Sequence, residues 1–206
     1  MSITRRLLIA APFLTATASL LTSAKAQAQP TDPRMAERTM GPADAKVVVV
    51  EWFSLTCSHC AAFHKDTFPQ VRAKLIDTGR IRYVWRDFPL DQVALTAAMV
   101  ARALPAERYE PFIAALLASQ DRWAFARGVN STEELAKLAA LAGLSRTAFN
   151  ATIGDAELKR AILTDQSDGE KKFGVASTPS FVMNGKLTSG AVTYDGFARA
   201  VDGASA

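Results

Sequence analysis

Cysteine is the scarcest informative residue of this chain. There are only two, Cys57 and Cys60, in 206 residues, and histidine is as rare, with only His59 and His64. A disulfide-stapled scaffold needs several paired cysteines spread along the chain. A bridge spanning two residues closes too small a loop to constrain the unfolded chain much, so a structural staple is excluded as the purpose of the pair. A zinc site needs about four ligands, and the Cys and His residues crowd into one short stretch with no second cluster, so no metal site is expected. A haem attachment site is excluded too, because Ala61 follows Cys60 where a histidine is required.

Net charge is also scarce. The chain carries 24 basic and 20 acidic residues, but Arg5, Arg6 and Lys25 all lie in residues 1–26, which contain no acid. What remains is close to neutral, with nothing to suggest a nucleic-acid surface. Long apolar runs are missing as well. Residues 7–21 form the longest, short of the roughly 20 residues that span a bilayer. With Arg5-Arg6 before it and the small-residue sequences Ala24-Lys25-Ala26 and Ala26-Gln27-Ala28 after it, this run reads as a secretory signal peptide over residues 1–26, with cleavage after 28 as the alternative. Thr4-Arg5-Arg6-Leu7-Leu8-Ile9 resembles a twin-arginine signal; the general export route is preferred because paired arginines also occur in ordinary signals. An exported chain sits where disulfides persist.

Residues 27–45 carry Pro30, Pro33 and Pro42 and read as a leader with a short edge strand near residues 38–40. Residues 46–53 are a valine-rich apolar run interrupted by Glu51, the pattern of a strand buried on both faces. A helix is expected over residues 57–78, kinked by Pro69 and ended by Gly79, then a strand over 81–88. Together these make a βαβ unit (46–90) whose strands are parallel. Residues 91–163 are helical throughout, with one helix stopped by Pro105 and another opened by a capping box of Ser131 and Glu134. Residues 164–206 return to β structure: a helix, the strand 180–183, the turn Asn184-Gly185, the strand 187–191 and a closing helix. One α/β domain with an inserted helical block explains this order most simply.

The chemistry centres on Cys57-Ser58-His59-Cys60. Placed where a strand turns into a helix, Cys57 meets unpaired N–H groups and the positive helix end, which stabilise a thiolate. Cys57 is therefore the exchanging sulfur and Cys60 the resolving one. His59 can favour the thiolate further by hydrogen bond or charge. Glu51, six residues before Cys57, is either a buried carboxyl that accepts the proton of Cys60 or a solvated edge residue. His64 reads as a surface helix residue, and Trp52, Trp85 and Trp123 as core or groove walls.

With Glu51-Trp52-Phe53, Cys57-Ser58-His59-Cys60 and Gly174-Val175-Ala176-Ser177-Thr178-Pro179-Ser180-Phe181 in place, the chain resembles the thioredoxin superfamily, and within it the DsbA family of periplasmic thiol–disulfide oxidoreductases, over roughly residues 38–203. The resemblance implies a thioredoxin-like fold with an inserted helical subdomain, a cis Thr178–Pro179 bond lying against the two sulfurs, and an apolar groove for unfolded substrates. It implies no cofactor, reduced exported proteins as substrates, a DsbB-like membrane oxidase for re-oxidation, and a monomer in the periplasm. His59 matches the histidine of the family's Cys-Pro-His-Cys, whereas Ser58 departs from its proline, which leaves the oxidising strength open. His64 stands where some members carry an acid. Three functions remain: a disulfide-forming oxidase, a reductase or isomerase kept reduced, and a non-catalytic chaperone or metal-binding protein on the same fold. The oxidase is favoured because residues 27–45 are too few for the N-terminal dimerisation region of periplasmic isomerases.

Overall fold

The computed structural model describes residues 32–190 and 192–205; the expected signal peptide, the first part of the leader and Ala191 lie outside them. A single turn at Pro33–Met35 leads into the short strand β1 (Arg38–Met40). The valine-rich run forms β2 (Val47–Phe53), because β-branched side chains suit a pleated surface packed on both faces. It is the middle strand of a five-stranded sheet of order β1-β3-β2-β4-β5, in which β3 is Ile81–Asp87, β4 Ser180–Met183 and β5 Lys186–Ser189. β2 pairs parallel with β3 and antiparallel with β4, and β1 and β5 close the edges antiparallel. Asn184-Gly185 turns β4 into β5 with φ of 46° and 88°, the left-handed pair that a two-residue hairpin requires.

Alternation along β2 sorts its side chains. Val47, Val49 and Phe53 enter the main core with Phe181, with Phe63 of helix α1 (Ser58–Asp66), and with Phe197 of helix α9 (Tyr194–Ser205). Trp52 points the other way, where it joins Phe88, Val175 and Val182. On that face the long helix α8 (Ala156–Phe173) lies against the Trp52 ring at Gly169, where a Cβ would come within 2.5 Å of the indole. Any side chain there would push α8 off the sheet. All three tryptophans are core residues.

The first helix does not run unbroken to residue 78. It stops at Asp66, restarts as α2 (Phe68–Val71) with Pro69 in its first turn, and passes into a π-helical segment at Arg72–Ile76. Proline has no N–H to donate and its ring crowds the preceding turn, which favours it at a helix start and here separates two helical segments. The helical block comprises α3 (Gln92–Ala103), α4 (Ala106–Ala118), the short α5 (Gln120–Trp123), α6 (Ser131–Leu141) and α7 (Arg146–Ile153). The expected capping box at α6 is displaced by one residue. Asn130 is the cap and its side chain accepts from the N–H groups of Thr132 and Glu133, which leaves Ser131 inside the helix. α8 runs unbroken through Leu163 and Thr164, so the helical block and the returning sheet share one helix.

Candidate active site

β2 ends at Phe53, and four residues later Cys57 caps α1 with no side-chain hydrogen bond of the usual Ser or Asp kind. Its sulfur occupies the place of the missing cap. Three elements hold the loop before it. The Thr56 hydroxyl donates to Asp91 at 2.7 Å, and the other Asp91 oxygen caps α3 by accepting from Ala94 N–H at 2.7 Å. From α5, the buried Gln120 amide donates to the carbonyls of Leu55 and Cys57 at 2.9 and 3.1 Å. From the turn before β4, the Thr178 carbonyl accepts from the Cys57 thiol at 3.3 Å. The Thr178–Pro179 peptide is cis.

Both cysteines carry free thiols and both are buried, Cys57 at 7% exposure and Cys60 at 0%. Their acidities are driven in opposite directions. The Cys57 thiol is lowered to about 5, first by the hydrogen bond from the Cys60 thiol, against the cost of burial, and then by the Thr178 hydroxyl and the N–H groups of Cys60 and His59. Cys60 is pushed far above the usual thiol range, by burial first, then by its bond to Cys57 and by the charge of Glu51. One turn of helix separates an anion-stabilising position from an apolar one.

The remaining expected residues are placed as follows. Ser58 and His59 are exposed, and His59 acts on Cys57 through its backbone N–H. The Thr178 hydroxyl is buried with no partner of its own in hydrogen-bond geometry, which leaves it free to face the sulfur. Glu51 is 0% exposed, not a solvated edge residue. Its carboxylate meets the His64 Nε2 at 3.0 and 3.1 Å and accepts from the Tyr83 hydroxyl at 2.9 Å.

His64 corrects the expectation of a surface residue: its side chain is 7% exposed, stacked on Phe68 at 4.8 Å between centroids. It lies one turn after Cys60 and faces the same strand, and that i, i+4 spacing was the available signal. Gln120 and Tyr83 carry no local signal, because neither belongs to a motif. Among the described residues, no group of three or more His, Cys, Asp or Glu side chains could hold a metal ion.

The end of β2, the Cys57–Cys60 turn at the start of α1 and the cis Thr178–Pro179 peptide thus meet at one place. Residues 34–203 match the family model described as thioredoxin. The chain belongs to the thioredoxin family. A candidate protein-disulfide oxidoreductase of Rickettsia typhi is 32% identical over 167 residues, which are 81% of this chain and 61% of that protein. This chain thus spans about three fifths of that relative's length. Among solved structures, alpha-DsbA1 of Wolbachia pipientis superposes with a TM-score of 0.75 at 32% identity, over 83% of this chain and 92% of that one. A thioredoxin-like oxidoreductase of Silicibacter pomeroyi gives 0.65 at 26% identity, over 84% and 93%. BdbD of Bacillus subtilis gives 0.71 at 20% identity over 82% and 92%, a likeness of fold alone.

Proposed function

We propose that the chain is an exported thiol–disulfide oxidoreductase that introduces disulfides into reduced proteins. The observation that carries this is the unequal placement of the cysteines: Cys57 caps the start of α1 against the Thr178 carbonyl, while Cys60 is sealed in the core one turn on, which lowers the Cys57 thiol to about 5 and raises that of Cys60. A thiol of that acidity is a good leaving group and its reduced form is stabilised, which makes the Cys57–Cys60 disulfide oxidising.

In the oxidised enzyme, a substrate thiolate attacks the Cys57 sulfur. The Cys57–Cys60 bond breaks as the substrate–Cys57 bond forms, and the Cys60 sulfur leaves with the electron pair and takes a proton. A second substrate thiolate then attacks the substrate sulfur of the mixed disulfide. The substrate departs with its own disulfide, and Cys57 is released as the thiolate its surroundings favour. Two electrons have moved to the enzyme, and a membrane-bound oxidase of the DsbB kind would remove them. The buried carboxyl of Glu51 is the group nearest in character to a proton partner for Cys60. The Thr178–Pro179 turn, against Cys57, is where an extended substrate backbone would lie. Residues 1–28 support export, to the periplasm, and the enzyme acts as a monomer.

The deciding experiment follows refolding of a reduced, unfolded ribonuclease with glutathione disulfide as terminal oxidant, beside a redox titration in glutathione buffers. The expected result is catalysed disulfide formation and a potential above about −200 mV. A potential near thioredoxin's, about −270 mV, would make the chain a reductase instead. Absence of turnover would leave a binding protein on the same fold.

A further inference from the structure

Below Cys60 the structure holds a second titratable pair. Glu51 has its two oxygens on the His64 Nε2, at 3.1 and 3.0 Å, and one of them also takes the Tyr83 hydroxyl. The carboxylate itself is sealed from solvent, while the imidazole is not quite. His64 forms part of the wall of a groove of about 660 Å³ between α1–α2 and α4, lined also by Lys65, Phe68, Arg72, Glu110 and Leu117. Arg72 and Glu110 pair across it at 3.7 Å. The wall of the groove is mostly apolar, with Lys65, Arg72 and Glu110 as its charged members, and it ends on the imidazole that touches the buried acid.

Cys60 needs such a route. It takes up one proton each time the Cys57–Cys60 bond opens and releases one each time the bond re-forms, yet it is fully buried. The groups that face this region are Glu51 from β2, Tyr83 from β3, and Cys57 and His64 at the two ends of α1, with Lys65, Arg72 and Glu110 in the groove. Tyr83 is held protonated by burial and by Glu51, so it serves as a fixed donor.

We propose that His64, acting through Glu51, carries the Cys60 proton to and from the groove between α1 and α4. The assignment rests on the redox role proposed above. As Cys60 attacks a mixed disulfide on Cys57, the Cys57–Cys60 bond forms and the partner thiolate leaves. The Cys60 proton is taken by the Glu51–His64 pair and passed by the imidazole to water in the groove. Opening of the disulfide runs the same path inward. His64 is a positioning residue in this scheme, since it touches neither sulfur.

The test isolates the Cys60 step. Glutathione is placed on Cys57 as a mixed disulfide and its release is timed from pH 5 to 9. His64→Gln keeps a hydrogen-bond donor for Glu51 but cannot carry a proton. Release should slow about tenfold or more near neutral pH and its pH profile should flatten, while the Cys57 thiolate absorbance still titrates near 5. His64→Ala should slow likewise and recover as free imidazole is added, because the groove admits the ring. A wild-type rate and pH profile in His64→Gln, or no response to imidazole in folded His64→Ala, overturns the path. If the wild-type chain exchanges no disulfide, the redox role fails and the path with it. If the wild type exchanges and the variants match it, the path alone fails.

Discussion

Two acids on adjacent strands point to the same face of the sheet and meet opposite fates. Glu51 in β2 and Asp87 in β3 are both buried, and each has a tyrosine hydroxyl at a carboxylate oxygen, Tyr83 at 2.9 Å and Tyr109 at 3.4 Å. Asp87 is then locked by Arg102, whose Nε donates at 2.6 Å with the guanidinium fully buried. A second cation, Arg38, lies over the Tyr109 ring and donates to the carbonyls of Arg102 and Leu104. Glu51 has no permanent cation. Its partner is a histidine that borders a groove. Guanidinium cannot give up its proton in a protein, and imidazole can. The Asp87 cluster therefore ties β1, β3, α3 and α4 together, whereas the Glu51 cluster pairs its acid with an imidazole and a phenol instead of a fixed cation.

Breaking the Asp87 cluster should show the largest effect. Arg102→Ala leaves a buried carboxylate unpaired and should cost about 3–5 kcal/mol in urea unfolding, with Cys57 still titrating near 5. The mirror substitution, Glu51→Gln, retains the shape and the hydrogen bonds to Tyr83 and His64. It should slow glutathione release from the mixed disulfide by about tenfold and change stability by less than about 1 kcal/mol. A large loss of stability in Glu51→Gln would erase the distinction between the two acids.

A third substitution asks whether the helical block serves the site or merely covers it. Gln120→Ala strips two carbonyls beside Cys57 of their donor and should cost about 1–2 kcal/mol. Its effect on substrate turnover should exceed that of any exposed substitution in α6, because it loosens the loop that presents the sulfur.

The most gradual effect is that of pH. Folded Cys57 ionises at about 5, below the roughly 8.5 of an unfolded thiol. Between those values the reduced folded chain binds fewer protons than the unfolded one, so its stability rises with pH and is lost as pH falls through about 5. Above about 8.5 the sign reverses, because folded Cys60 keeps a proton that the unfolded thiol releases. Unfolding midpoints of the reduced form, taken against the oxidised form, should peak near pH 8.5 and converge in acid. A flat difference across that range would mean that Cys57 is not activated.

Much of this was readable along the chain. The valine run with a single acid, the Cys-x-x-Cys at a strand-to-helix junction, the Asn-Gly turn and the Thr-Pro before β4 each carry their meaning within a few residues. Local patterns misplaced the α6 cap by one residue because Asn130 and Ser131 are both competent caps, and the chain direction into the helix decides between them. They also placed His64 on the surface, since helical periodicity cannot tell how deeply α1 tilts into the core beside Phe63 and Phe68.

By itself the sequence determined the order of the elements, because that depends on hydrophobic period and turn chemistry, while the thioredoxin-like class came from the resemblance carried by the residues around Glu51, Cys57 and Thr178. The tertiary structure alone decided that Glu51 meets His64 and Tyr83, that Gln120 holds the loop of Cys57, and that Asp87 is fixed by Arg102. These pairs are separated by 13, 32, 63 and 15 residues, and only burial in a common core makes their charges and hydrogen bonds answer to one another.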